Sequence, residues 1–318
     1  HDVHAYGTTG DGDEAVLQAD ANLKDRFDAW PTHAILRGYN AEGARSFFIR
    51  ALSFRDVRAE GTPGGDDVAH LNGAPGGVDT FIGGPSYGEL SGNDDYSLRA
   101  DSFRNVHAHG NAGDDDVATL NDDPGRFDEL YACPGEVKLS GEAFLLRALA
   151  FRHVYAESTP GDGDVARLHD SATDDTFTAR PRWAKLSGDT FFVRANSFGY
   201  VHAYSSTGDD VAMLHGSNGK DVFVGKEQFG KLRGTDPKTG IDYCNRALWF
   251  GHLHVYGAGA DSRDVAMLYD AVLEEGITDP VGMTQVVWLY ESERIRERSD
   301  GDETITDVVD QVFTVYWQ

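Results

Sequence analysis

The chain repeats itself, and the repetition restricts its fold more than any other feature. A motif of the form Asp-Val-Ala-x-Leu occurs five times after one degenerate copy, and the copies begin at Asp13, Asp67, Asp116, Asp164, Asp210 and Asp264. Successive copies lie roughly 46 to 54 residues apart. A period of this size indicates structural units that stack on their neighbours. Positions shared by all copies serve the stacking, so specific chemistry is expected where one copy departs from the others.

Residues within each unit alternate as they do in a half-buried strand. Leu98, Ala100 and Ser102 occupy one set of alternate positions, and the other set carries Arg99 and larger groups. A period of two directs the small set toward an interior and the arginine set toward an outer face. Segments rich in Gly, Asp, Pro and Asn separate the short strands, of which each unit holds about five.

These patterns predict an all-β fold. We expect a parallel β-helix, or β-solenoid, of about six two-rung repeats near 48 residues each over residues 1–270. A β-propeller is the alternative, because a four-stranded blade of ~40–50 residues has a similar period. The solenoid is favoured, because the turns differ from the two-residue Asn-Gly and Asp-Gly hairpin type and the interior residues are small. It predicts one buried line of alanines, namely Ala51, Ala100, Ala148, Ala195 and Ala247.

The C-terminal segment, residues 271–318, follows a different pattern. Its apolar residues Ile305, Val308, Val309, Val312, Phe313 and Tyr316 have helical spacing. This spacing predicts a helix over residues 302–318. A solenoid ends in an apolar surface that needs a cover, so we expect this segment to cap the last unit. The chain starts at His1, partway through a repeat. We therefore expect upstream sequence, and an upstream-domain or end-to-end contact at that uncapped end.

Charge narrows the range of partners. The net charge is −25 and the isoelectric point is about 4.6. Nucleic-acid binding is not expected, because it needs clustered Lys and Arg, whereas an acidic chain favours divalent cations and basic partners. The chain has no run of about 18 apolar residues, so a membrane span is not expected either. Cys133 and Cys244 fall in different parts of the repeat and are expected to be free, buried thiols.

Several of these segments resemble a known repeat family. The runs Asp164–Ser171 and Asp264–Ala271, followed in one copy by Asp175-Thr176-Phe177 and Leu186-Ser187-Gly188, resemble repeats in large secreted proteins of planctomycete bacteria, as does the ending Asp307–Phe313. The resemblance covers nearly the whole chain and implies an extracellular or cell-surface location, without catalytic residues to transfer. A weaker likeness to haemolysin-type calcium repeats rests on Gly219–Phe223, and the tandem nonapeptides of that family are missing.

Two aspartate ladders are candidates for calcium binding. The first consists of the aspartates that open the repeated motif, and the second consists of Asp25, Asp79, Asp128, Asp175 and Asp221. Calcium takes six to eight oxygen ligands, which adjacent carboxylates and turn carbonyls can supply. The candidate ligands are the denser groups, Asp114, Asp115 and Asp116, Asp66 and Asp67, and Asp209 and Asp210. Alternatively, each aspartate only accepts hydrogen bonds from the backbone of its own turn.

A ladder of arginines suggests a second kind of site. Arg50, Arg99, Arg147, Arg194 and Arg246 each precede an alanine. Guanidinium groups bind sulfate and carboxylate in bidentate fashion, so the five could bind an anionic glycan; the alternative is pairing with aspartates or packing of their stems.

The most consistent function is that of a non-catalytic extracellular repeat domain of a larger surface or matrix protein. Such a domain acts in display, adhesion or assembly, and its partners are other surface proteins or anionic glycans. The alternative is a glycan-active enzyme, a polysaccharide lyase or hydrolase, or a glycan-binding module on the same scaffold. The sequence has no G-x-S-x-G, P-loop or H-E-x-x-H motif.

Overall fold

A computed structural model describes residues 2–8, 12–92, 95–226, 228–257 and 264–268, together with the backbone of four strands between residues 272 and 317. The first half of the chain forms strands β1 Asp2–Tyr6, β2 Glu14–Gln18, β3 Lys24–Trp30, β4 His33–Tyr39, β5 Arg45–Leu52, β6 Asp56–Glu60, β7 Val68–Asn72, β8 Asp79–Gly84, β9 Tyr87–Gly92, β10 Tyr96–Asp101, β11 Asn105–His109, β12 Val117–Asn121, β13 Glu129–Cys133, β14 Glu136–Ser140, β15 Leu145–Leu149 and β16 His153–Glu157. The second half forms β17 Val165–His169, β18 Thr176–Arg180, β19 Trp183–Ser187, β20 Phe192–Asn196, β21 Tyr200–Tyr204, β22 Val211–His215, β23 Asp221–Lys226, β24 Phe229–Asp236, β25 Ile241–Leu248, β26 His252–Tyr256, β27 Val265–Leu268, β28 Val272–Leu273, β29 Ile277–Thr278, β30 Thr284–Tyr290 and β31 Gln311–Trp317.

The chain divides into two compact units. Unit 1 comprises His1–Asp164 with Thr190–Arg194, and unit 2 comprises Val165–Asp189 with Ala195–Gln318. Each unit contains two sheets. In unit 1, sheet 1A has the order β1-β5-β4-β3-β7-β11-β15-β14-β13 and sheet 1B the order β2-β6-β10-β9-β8-β12-β16. In unit 2, sheet 2A has the order β17-β21-β25-β24-β23-β27 and sheet 2B the order β19-β18-β22-β26-β31-β30-β28.

The chain alternates between the two sheets, and each repeat gives strands to both. In unit 1, β7 lies in sheet 1A, the triplet β8–β9–β10 in sheet 1B, β11 in sheet 1A, β12 in sheet 1B and the triplet β13–β14–β15 in sheet 1A. Successive passes pair in parallel, as β7 does with β11. These parallel contacts confirm the prediction of an all-β solenoid, which has about six turns. The β-propeller alternative is wrong, because the strands form two sheets instead of separate blades.

The strands within a triplet pair antiparallel, a feature that the turn residues did not lead us to expect. Four of the hairpins use a two-residue loop that begins with proline, at Pro31-Thr32, Pro85-Ser86, Pro134-Gly135 and Pro181-Arg182. Proline is favoured as the first central residue of a tight turn, because its ring fixes φ near the required value. A proline-x pair therefore performs here the role that Asn-Gly performs in other hairpins.

Small and aromatic side chains fill the interior. All five predicted alanines are at most 1% exposed. They do not form a single line, however, because Ala51 and Ala148 lie in sheet 1A and Ala100 lies in sheet 1B. Fully buried phenylalanines such as Phe27 and Phe81 pack among these small residues. Burying one phenylalanine contributes roughly 1.5–3 kcal/mol, so the aromatic rows supply much of the stability of the stack.

A strained turn closes each triplet. The residue after the last triplet strand has a positive φ in every copy, between 57° and 64°, at Ser53, Ser102, Ala150, Ser197 and Trp249. This left-handed conformation is unfavourable for residues other than glycine. The phenylalanine that follows is buried in four copies, Phe103, Phe151, Phe198 and Phe250. Burial of that ring holds the strained residue in place.

The end of the chain departs from its prediction. Gln311–Trp317 is a strand that pairs in parallel with β26 and antiparallel with β30. A helix over these residues is therefore wrong, whereas residues 301–310 lie outside the described part of the chain. Valine, threonine and aromatic residues dominate Gln311–Trp317 and favour a strand, and the edge of β26 supplies the partner. The capping role of the segment stays a prediction.

Both cysteines are free thiols, as the sequence predicted, and each is half-buried. Within the described part of the chain, no helix is long and apolar enough to cross a membrane.

Candidate metal centres and a basic sheet face

Five aspartates of the first ladder tie together two successive passes of the chain, whereas Asp13 accepts the Thr8 backbone N–H of its own turn (2.8 Å). The carboxylate of Asp67 accepts the backbone N–H of Asp25 at Oδ1 (2.9 Å) and the backbone N–H of Thr62 at Oδ2 (2.8 Å). The Oδ1 bond recurs from Asp79 to Asp116 (2.8 Å), Asp128 to Asp164 (2.8 Å), Asp175 to Asp210 (2.8 Å) and Asp221 to Asp264 (2.9 Å). The first ladder therefore caps backbone, which is the alternative interpretation given above.

The second ladder caps its own turns through Oδ2. The backbone N–H four or five residues earlier donates to Asp25 (2.9 Å), Asp79 (2.9 Å), Asp128 (2.7 Å), Asp175 (2.7 Å) and Asp221 (2.6 Å). The hydrogen-bond partner of the other oxygen, Oδ1, differs among the copies. The Tyr96 hydroxyl donates to Oδ1 of Asp79 at 2.6 Å. In contrast, Oδ1 of Asp25, of Asp128 and of Asp175 is buried without a partner. These three copies carry Phe47, Phe144 and Phe191 in place of the tyrosine.

A third aspartate joins two of these pairs. Asp122 and Asp170 stand two residues after the Leu of the motif, where two other copies have Gly73 and Gly216. The carboxylate of Asp122 accepts the Thr159 backbone N–H at 2.5 Å. The carboxylate of Asp170 accepts the backbone N–H of Ser206 at 2.7 Å.

Two buried clusters of three aspartates result. The first aspartate cluster comprises Asp122, Asp128 and Asp164, which are 7%, 0% and 0% exposed; the second aspartate cluster comprises Asp170, Asp175 and Asp210, which are 9%, 2% and 1% exposed. In each cluster, one oxygen from each residue lies within 4.8 Å of the others. Either cluster could hold a metal ion.

Burial makes it unfavourable for these clusters to carry three negative charges. Burial raises the pKa of Asp128 to about 6; the hydrogen bond from Asp123 opposes the increase and the charge of Asp164 adds to it. Burial likewise raises the pKa of Asp170 to about 7, and the neighbouring Asp210 increases it further. Burial therefore makes binding of a proton or a cation to each cluster favourable.

Of the seven aspartates predicted as metal ligands, the structure brings Asp210 into an aspartate cluster. Asp67 and Asp116 are backbone caps. The others engage separate partners: Asp114 accepts the Gly76 N–H (2.9 Å), Asp115 pairs with Arg152 (3.3 Å), Asp66 with Arg104 (3.4 Å) and Asp209 with His252 (2.9 Å). Sequence reasoning missed Asp122 and Asp170. The signal was available, since both stand where the copies depart from one another.

The predicted arginine ladder does not form one row. Arg50 and Arg147 lie in sheet 1A, Arg99 lies in sheet 1B and Arg246 lies in sheet 2A. Two of these are engaged in ion pairs: Arg99 contacts Glu89 at 2.9 Å and Asp101 at 2.9 Å, and Arg147 contacts Glu136 at 2.7 Å.

Sheet 2A has a different electrostatic character. The guanidinium of Arg246 lies 4.3 Å from the centroid of the Phe229 ring. Lys231 is its cross-strand neighbour on β24, and Arg233 stands opposite Cys244 one step along the same strand pair. Among the described residues, no carboxylate lies within ion-pair distance of these three cations. We call Lys231, Arg233 and Arg246 the basic face.

The three cations of the basic face surround the Cys244 thiol electrostatically. Burial raises the pKa of the Cys244 thiol, while Lys231, Arg233 and Arg246 all oppose that increase. On β21, burial lowers the pKa of His202, and Arg246 lowers it further. Positive charge therefore accumulates on this part of sheet 2A, in a chain whose net charge is −25.

Comparison with known proteins adds no relative. No protein-family model, curated protein or solved structure matches the chain. Fold and geometry therefore define the class of this protein, a β-solenoid repeat protein.

Proposed function

We propose that this chain is a non-catalytic repeat domain of a larger cell-surface or matrix protein, and that it acts in adhesion through an anionic glycan. The observation that carries the proposal is the basic face. Like charges that lie close together without counterions raise the free energy of the isolated protein. An anionic ligand removes that repulsion, and an acidic surface elsewhere on the molecule confines such a ligand to this face.

The geometry of the basic face suits an extended polymer. Lys231 and Arg246 occupy neighbouring strands, which lie ~4.7–4.9 Å apart in a sheet. Guanidinium groups bind carboxylate and sulfate through two parallel hydrogen bonds. Nearby aromatic side chains add apolar contact area: Tyr204 lies 5.9 Å from Trp249, which is 38% exposed. A basic and aromatic sheet face of this kind favours binding along a polysaccharide chain over cleavage within a cleft.

Calcium is the cofactor that we propose for the domain, in a stabilising role. Its support is the presence of buried, all-carboxylate clusters, because hard cations prefer oxygen ligands. The cation would neutralise buried charge and take no part in chemistry.

Binding of polysaccharide probes tests the adhesion proposal. Heparin and polygalacturonate are the probes, and the variants are Lys231→Ala combined with Arg246→Ala, and a control, Arg99→Ala combined with Arg147→Ala. The control removes the same amount of charge, but its arginines already contact Glu89, Asp101 and Glu136. We expect the first variant to bind at least tenfold more weakly and the control to bind like the wild type, with affinity falling as salt increases. Absence of binding to both probes, or equal losses in the two variants, would overturn the proposal.

The enzyme alternative and the location need separate measurements. The chain length of each polysaccharide is followed after incubation with the protein; shortened products would favour the glycan-active enzyme.

Antibodies against the purified chain are applied to intact and permeabilised producing cells. We expect intact cells to be labelled, and labelling only after permeabilisation would contradict a surface location.

A further inference from the structure

We propose that the first and second aspartate clusters are two calcium sites, created by a coordinated pair of residue exchanges in the third and fourth repeats. This inference rests on the calcium part of the proposed function and makes it specific. It does not depend on glycan binding, so either idea can fail without the other.

The repeats themselves provide the comparison. Two copies combine a glycine with a tyrosine, Gly73 with Tyr96 and Gly216 with Tyr243; the two cluster-bearing copies combine an aspartate with a phenylalanine, Asp122 with Phe144 and Asp170 with Phe191. One exchange adds a carboxylate. The other removes a hydroxyl that could donate a hydrogen bond. The first change adds negative charge to the buried site, and the second leaves a carboxylate oxygen there without a donor; a bound cation would offset both.

An unpaired oxygen in each cluster further supports a ligand; Asp25 has the same unpaired oxygen but no third aspartate, because Ala19 stands at the position of Asp122. Oδ1 of Asp128 and Oδ1 of Asp175 have no hydrogen-bond partner, and their residues are 0% and 2% exposed. Buried acceptors are nearly always paired in folded proteins. In the copy with tyrosine, the equivalent oxygen of Asp79 accepts the Tyr96 hydroxyl. No Lys or Arg of the described residues forms an ion pair with any of the six aspartates, so the chain itself supplies no neutralising cation.

The donor set selects calcium among common metals. All six side chains are carboxylates, which suit calcium and magnesium, whereas zinc prefers nitrogen and sulfur ligands. Calcium–oxygen bonds of 2.3–2.6 Å place oxygens on opposite sides of the ion about 4.6–5.2 Å apart. In each cluster one oxygen from each residue lies within 4.8 Å of the others, close enough for one ion to contact all three. Magnesium needs a smaller, near-octahedral shell and gives up its bound water molecules reluctantly. A buried cluster does not favour an ion that keeps several waters.

A surface depression lies beside the first aspartate cluster, separated from it by Gly141. It has a volume of about 620 Å³ and is lined by Arg126, Phe127, Glu129, Ser140, Gly141 and Glu142. Gly141 lies directly over the unpaired oxygen, because a Cβ added there would stand 2.1 Å from Oδ1 of Asp128. The depression therefore brings solvent to within one residue of the cluster. Glu129 and Glu142 line the depression together with Arg126, which forms an ion pair with Glu142 at 2.9 Å.

Calorimetric titration of the chelator-treated full chain with calcium chloride tests the proposal, with magnesium chloride as the comparison. We expect two calcium sites in the wild type, one in Asp122→Asn, one in Asp170→Asn, and none in the double variant. Circular dichroism verifies that each variant is folded. The wild type should also melt at a higher temperature in millimolar calcium than in chelator, because a ligand that binds only the folded state stabilises it.

A second variant keeps the test decisive if an asparagine variant fails to fold. Phe144→Tyr combined with Phe191→Tyr introduces the hydroxyls that the fold already accommodates at Tyr96 and Tyr243. These hydroxyls would occupy the unpaired oxygens, so we expect calcium affinity to fall at least tenfold. A wild type that binds no calcium would overturn the proposal and leave protons as the neutralising species. Two sites that persist in the folded double asparagine variant would also overturn it.

Discussion

The Tyr96 hydroxyl donates a 2.6 Å hydrogen bond to Oδ1 of Asp79, while the backbone N–H of Ala74 donates to the other oxygen of the same carboxylate. Both oxygens are therefore satisfied although Asp79 is 1% exposed. The fifth repeat reproduces the arrangement, because Tyr243 hydrogen bonds Asp221. Copies with phenylalanine at this position leave one oxygen without a partner, so the chain contains its own natural variants of a single contact.

Replacing Tyr96 with phenylalanine should destabilise the fold. The change removes one hydroxyl and leaves Oδ1 of Asp79 buried and unpaired. We expect a loss of about 1–3 kcal/mol, the usual cost of an unsatisfied buried acceptor. Urea denaturation measures it. Tyr200→Phe is the control, since Tyr200 is 48% exposed and its loss should change stability by less than about 0.5 kcal/mol. Equal effects of the two substitutions would contradict the assignment.

The reverse exchange should stabilise the first repeat. In Phe47→Tyr, the new hydroxyl would approach the unpaired Oδ1 of Asp25. The ring of Phe47 lies against Gly38, just as the ring of Tyr96 lies against Gly92. We expect a gain of about 0.5–1.5 kcal/mol, the net value of a hydrogen bond. The gain should vanish in the background of Asp25→Asn if the carboxylate is its cause.

Asp25 should make stability depend on pH. Burial raises its pKa to about 6 from the ordinary 3.8, with the Asp20 hydrogen bond opposing and the Asp67 charge adding to the increase. Because the folded pKa exceeds the unfolded one, the folded state holds its proton more tightly. Stability from this group is therefore highest below about pH 4 and falls as pH rises to about 6.

The measurement compares wild type and Asp25→Asn by denaturation at a series of pH values. The free energy of unfolding of the variant should increase relative to that of the wild type between about pH 4 and pH 6. Above that range the difference between the two should be constant. A difference that is independent of pH would show that Asp25 is ionised throughout.

The strained turn at Ala150 offers a stabilising substitution. Its φ is 60°, a conformation that glycine adopts without steric cost. We expect Ala150→Gly to raise the melting temperature, with a gain of about 0.5–1 kcal/mol. Ala148→Gly is the matched control, because Ala148 is 1% exposed within strand β15 and its replacement should cost about 1–2 kcal/mol. A loss of stability in both variants would mean that strain at Ala150 is negligible.

Alternation within a strand predicted most of the interior, although Ser102, assigned inward with Leu98 and Ala100, is only half-buried because it lies in the turn after the strand. Leu98 and Ala100 were assigned inward and Arg99 outward, and the structure agrees, because side-chain direction follows from local backbone geometry. The pairing of strands was harder to infer. Pro85-Ser86 closes a hairpin although it lacks the Asn-Gly or Asp-Gly pair that most strongly signals such a turn. At the chain end, Val312 and Phe313 fit a helical spacing as well as a strand, and pairing with β26 determines the outcome.

The aspartate clusters mark the limit of what spacing alone can predict. Runs such as Asp114–Asp116 are dense in sequence, but neighbouring residues on a strand end or turn point in different directions and find different partners. Asp122 and Asp164 are far apart in sequence and meet only because parallel pairing of β12 with β16 brings successive passes into register. Comparison among the copies would have identified Asp122 and Asp170, although not the distances that unite them with their partners.

Alternation of the triplets between two sheets gives the repeat array a parity. Copies of one parity supply the triplet of one face, and copies of the other parity supply the opposite face, as β3–β4–β5 and β13–β14–β15 do for sheet 1A and β8–β9–β10 does for sheet 1B. A ligand that extends along one face contacts a triplet from every second copy and single strands, such as β7 and β11, from the copies between. Mutations in the triplets of one parity therefore change one face and leave the triplets of the other face unchanged. A partner bound along one face meets equivalent triplets at twice the period of the sequence repeat.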